Sequence, residues 1–117
     1  MAALVCKQTV RFRRFTPALM RILRAVYDVT RGQSEPSEVV ITSVNDSTHG
    51  PQSRHYTDEA IDVRTKHFAS ETAKLRFAAL LRAELGPAFT VLYENPAGEN
   101  QHLHIQPRKG TVYEGPV

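Results

Sequence analysis

Four of the five histidines in this sequence fall into two groups. His49 and His55 lie in a polar stretch just before Asp62, and His102 and His104 sit together near the end of the chain. If the second pair lies on a strand, the two-residue period places both imidazoles on one face, about 7 Å apart. That spacing suits one metal ligand beside an acid/base group, and equally two ligands. His55 and Asp62 are too far apart along an extended chain, over roughly 20 Å, to share an ion. They can do so only if the chain turns between them, and Thr57-Asp58 offers such a turn. Two neutral imidazoles and one carboxylate leave a fourth zinc position open to water, the arrangement of a catalytic site as opposed to a closed structural one. Zinc polarises a carbonyl and lowers the pKa of water towards about 7, and such a site needs a general base within reach. Glu94 ends the strand that precedes the histidine pair. If it pairs across a hairpin with His102, it projects to the face of both imidazoles. The single Cys6 rules out a thiolate cluster and an intramolecular disulfide.

The elements needed to position these groups are legible in the pattern. Leu4 to Phe12 reads as a first strand. Thr16 is an N-cap with Pro17 at the first helical position. Leu19, Ile22, Leu23, Val26 and Tyr27 follow as one apolar helical face, and Gly32 is the stop. Glu38 to Val44 is β-branched and predicts a buried strand. Asn45 to Arg54 is loop by composition. Ala60 to Val63 is a short strand. A second helix is expected from about Ser70 to Leu85, with Leu75, Phe77, Leu80, Leu81 and Leu85 inward and Gly86-Pro87 ending it. Phe89 to Glu94 is a strand, Asn95 to Gln101 turn chemistry, and His102 to Gln106 the hairpin partner. Segregated helices and an antiparallel sheet argue for an α+β fold in one domain spanning residues 1–117.

Composition is that of an ordinary globular domain: 117 residues, 41% hydrophobic and 23% charged, with net charge +3. No apolar run approaches the roughly 20 residues that span a bilayer, so no membrane partner is expected. The stretch Ala2 to Cys6 is too short for a signal peptide, and Arg11, Arg13 and Arg14 follow it instead of preceding it. Synthesis in the cytoplasm is the expectation, with any route to a cell wall supplied by lysis. Arg21 and Arg24 extend the basic cluster around the first helix. A solvated helix face accounts for that cluster, so no nucleic-acid partner is expected.

The string Ser53-Arg54-His55-Tyr56-Thr57-Asp58-Glu59-Ala60-Ile61-Asp62 resembles the S-x-H-x-x-G-x-A-x-D motif of the zinc D-Ala-D-Ala peptidases, which share a fold with the hedgehog signalling domain. Tyr93-Glu94 followed by His102-Leu103-His104 resembles their second motif, in which a glutamate precedes H-x-H or a single zinc-binding histidine. The resemblance spans roughly Val39 to Gln106. It implies that His55, Asp62 and His104 hold Zn2+, that Glu94 is the catalytic base, and that His102 supports the transition state. His49 matches a pocket histidine of hedgehog-like members, and Ser53 a motif serine near the substrate.

The sequence departs from the motif in three places. Asp58 stands where the family has glycine. A longer linker between Glu94 and the histidine pair brings Glu99 into contention, with a tight Glu99-x-x-His102 spacing. The loop at Val44-Asn45-Asp46 lacks the arginine that many of the peptidases carry there, leaving His49, His102 or the metal to stabilise an oxyanion. The activity so implied is zinc-dependent hydrolysis at D-amino acids of peptidoglycan stem peptides, as in an endolysin or carboxypeptidase, by a monomer. The alternative is a hedgehog-like zinc domain without catalysis.

Overall fold

Thr16 opens the first helix as its sequence requires: its hydroxyl accepts the Leu19 amide at 3.1 Å, and Pro17 occupies the first turn, where a missing N–H costs nothing. The structure, a computed structural model, describes residues 2–44 and 59–117. Within them the elements run β1 (Ala3–Cys6), α1 (Pro17–Arg31), β2 (Glu38–Ser43), β3 (Ile61–Arg64), α2 (Glu71–Leu85), β4 (Phe89–Glu94) and β5 (His102–Pro107). The five strands form one sheet in the order β1-β2-β3-β5-β4. The protein is a small α+β domain, a five-stranded mixed sheet with two helices.

The expected all-antiparallel sheet is corrected at one edge. β1 pairs with β2 in parallel, and α1 is the crossover between them. The other three pairings are antiparallel. The expected first strand also stops early, at Cys6. The Val10 amide bonds back to the Lys7 carbonyl, so the chain turns out of the ladder where it no longer has a neighbour.

Both helices cover the same sheet face. Leu19, Ile22 and Val26 of α1 meet Phe77 and Leu81 of α2 over Val39, Ile41, Ile61, Val63, Leu103 and Ile105 from the strands. Arg21 links the helices through Glu84 at 3.1 Å. Leu75 and Leu80 were expected inward but are 52% and 37% exposed, and Tyr27 also faces solvent. Leu75 precedes Phe77 by two residues, so it lies roughly 160° around the helix from the buried stripe of Phe77, Leu81 and Leu85.

A β-bulge sits where β2 meets β3. Ile41 pairs with Val63, but Ser43 pairs with Asp62, so Thr42 and Ser43 together oppose one residue. The bulge lets Ile41 and Val44, three apart, both reach the core.

Gly86 ends α2 at φ 77° and ψ −169°, a region essentially closed to other residues, and a Cβ there would meet nothing within 4 Å. The cost of Gly86→Ala is therefore backbone strain alone. It is expected to destabilise by about 1–3 kcal/mol, read as a lower denaturation midpoint with unchanged m-value. An unchanged midpoint would contradict the assigned cap geometry.

Candidate functional site

The face of the sheet away from the helices carries the polar residues. Period-2 alternation along β3 and β5 buries Ile61, Val63, Leu103 and Ile105 and turns Asp62, Arg64, His102, His104 and Gln106 the other way. Strand register then decides which of them touch. Asp62 pairs with His104 and Arg64 with His102 across β3–β5, while Glu94 pairs with His102 across β4–β5. β5 is the middle strand of this group, so its histidines are held from both sides.

Asp62 Oδ1 lies 2.9 Å from Nδ1 of His104 and 3.9 Å from Nε2 of His102. His104 is 8% exposed, and its Nε2 is 2.6 Å from Oε1 of Gln106. Each His104 nitrogen thus faces an acceptor. Burial acts to lower the pKa of this imidazole, but the hydrogen bonds to Asp62 and Gln106 and the charges of Asp62 and Glu94 outweigh it and hold it above its ordinary 6.5. A raised folded-state pKa means that the stabilisation is present below the unfolded value and is lost as pH rises through the folded one. The chelator-treated protein is therefore expected to lose melting temperature as the pH rises above the ordinary histidine value of 6.5, and His104→Asn to flatten that dependence. Identical profiles for the two proteins would contradict it.

His102 is fixed by its Nδ1–H, which donates to the Asn100 carbonyl at 2.8 Å, and its Nε2 lies 2.9 Å from Oε1 of Glu94. Glu94 and His102 can hold one proton between them, and Glu94 is exposed enough to meet a substrate. Glu99 is placed differently. It is fully exposed and hydrogen-bonded to Lys66, and that bond together with the lysine charge lowers its pKa.

The structure thus brings together Asp62, His102, His104 and Glu94, whereas Glu99 bonds Lys66. His49, Ser53 and His55 lie outside the described residues. Among the described residues, no group of three or more His, Cys, Asp or Glu side chains is arranged to hold a metal ion. Asp62 and His104 supply a pair. With zinc–ligand bonds of about 2.0–2.1 Å, tetrahedral ligand atoms stand roughly 3.3 Å apart. The 2.9 Å between Asp62 Oδ1 and His104 Nδ1 is a hydrogen-bond distance, somewhat shorter than that edge.

Two residues at this face escaped the sequence reading. Gln106 orients His104, and Arg64 stands across from His102. The signal for both was the period of two, since each lies two residues beyond a recognised site residue on the same strand.

Comparison with protein families, curated proteins and solved structures gives no match to this chain.

Proposed function

We propose that the domain is a zinc-dependent peptidase that cleaves peptidoglycan stem peptides at D-amino acids, with a hedgehog and D-Ala-D-Ala peptidase-like fold. The observation that carries the reading is the packing of Asp62, His104, His102 and Glu94 on one sheet face, in the roles their motif positions imply. His55, Asp62 and His104 would hold the zinc, and Ser53 and His49 would line the substrate side. Zinc bound there would polarise the scissile carbonyl and make a water acidic near neutral pH.

The chain's own residues supply the rest. Gln106 accepts from Nε2–H of His104 and so turns Nδ1 towards Asp62, an outer partner of the kind that sets tautomer and ring direction in metal-binding histidines. Glu94, at the end of a strand, takes the proton of the attacking water and returns it to the leaving amine. His102 is fixed by the Asn100 carbonyl and directs Nε2 at the same space, where its proton can meet the oxyanion.

The test is metal analysis of the purified protein together with digestion of purified peptidoglycan, read by mass spectrometry. About one zinc per chain is expected, with new termini at D-amino acids. Zinc without cleavage would hand the protein to the alternative, a hedgehog-like zinc domain used for interaction. Absence of zinc would sink both.

A further inference from the structure

A cavity of about 530 Å³ opens beside His102, lined by Lys7, Thr42, Arg64, Lys66, Glu99 and residues of the 100–102 turn. It shares the sheet face of the site, because Arg64 is the cross-strand partner of His102. Its charge is one-sided. Lys7, Arg64 and Lys66 line it against the single carboxylate of Glu99, which is committed to Lys66. Among the described residues the side chains of Lys7 and Arg64 have no hydrogen-bond or ion-pair partner. Arg64 is half-buried on a strand paired on both sides, so the sheet fixes its backbone at the cavity wall. An arginine held in this way, facing a concave space without a counter-ion, matches the two oxygens of a planar oxyanion.

We propose that Arg64 and Lys7, with Lys66 behind them, form an anion subsite that binds a carboxylate of the peptide substrate next to His102. The proposal rests on the peptidase reading for the identity of the peptide, not for the anion chemistry. A carboxylate is favoured over a phosphate because Glu99 stands in the same wall and repels a dianion more than a monoanion. A stem peptide offers a carboxylate at its C-terminus or on an acidic side chain. The subsite sets how far from that group the cut falls. A C-terminal carboxylate in it would place the last peptide bonds at the Glu94–His102 pair, as a carboxypeptidase requires.

The test is titration calorimetry of the full chain, with and without chelator. The probes are N-acetyl-D-alanine, its amide, N-acetyl-D-glutamic acid α-amide and inorganic phosphate. N-acetyl-D-alanine should bind at least about tenfold more tightly than its amide, and Arg64→Gln should remove about that factor. Lys7→Gln, at an exposed position, should weaken binding in the same direction and serves if Arg64→Gln fails to fold. Tighter binding of the side-chain carboxylate than of the terminal one would still support the subsite and would place an acidic side chain in it. Equal affinity for acid and amide, affinity lost on chelation, or preference for phosphate would each overturn the proposal. Its failure is distinguishable from failure of the peptidase reading. Stem-peptide cleavage that survives Arg64→Gln with unchanged KM removes the subsite alone. Anion binding in a protein that takes up no zinc removes the peptidase alone.

Discussion

Replacing His104 with alanine is expected to lower zinc affinity by about 10²-fold or more and to remove the thermal stabilisation that the metal confers. Among the described residues His104 is the most buried titratable group of the site, and it bonds both Asp62 and Gln106. Its loss deletes one proposed ligand and removes the hydrogen bond that His104 makes to Asp62. Asp62→Ala should behave alike, because the two atoms that face one ion come from paired positions on adjacent strands. A metal held at 100 times its dissociation constant stabilises the folded state by about 2.7 kcal/mol. For a domain of this size that corresponds to a fall in Tm of roughly 10 °C when the metal is removed. Chelation should therefore lower the Tm of the wild-type protein and leave His104→Ala unchanged. Stoichiometric zinc in both variants, measured by metal analysis, would falsify the ligand assignment. An unchanged wild-type Tm after chelation would count against a metal that ties β3 to β5.

Glu94→Gln is expected to keep zinc and fold while lowering kcat by about 10²-fold or more. Glutamine is nearly isosteric and can still hydrogen-bond Nε2 of His102, so the hairpin geometry should survive. What it cannot do is accept and return a proton. Glu94 ends a strand whose Phe89 and Val91 are buried, so packing fixes the direction of its side chain. Glu99 has the tighter spacing to His102 in sequence, but it sits in the turn, fully exposed, bound to Lys66 and held ionised by it. Glu99→Gln should therefore lower kcat by no more than a few-fold. Steady-state kinetics on a stem-peptide substrate separate the two. The reverse pattern would assign the base to the loop and require the turn to rearrange when substrate binds.

Much of the fold was legible because its signals are local. Thr16-Pro17 and Ser70 mark the helix starts, and Gly32 and Gly86 the stops, since capping depends on a few adjacent backbone groups. Phe89 to Glu94 and His102 to Gln106 were readable as a hairpin, and the structure pairs Glu94 with His102 across it. The shared face of His102 and His104 follows from the two-residue period alone.

Three features lay beyond such signals. The parallel pairing of β1 with β2 rests on a crossover that a short apolar run does not encode. The bulge opposite Asp62 is a misfit between two strands, and neither strand carries it by itself. Above all, the sequence determined which residues share a face, but not that β5 would lie between β3 and β4. That order brings Asp62 against His104 and Arg64 across from His102, over separations of about forty residues. Local periodicity orients a side chain relative to its own strand. Which strand becomes its neighbour depends on how the whole sheet buries its apolar face against the two helices, and only the tertiary structure decides that.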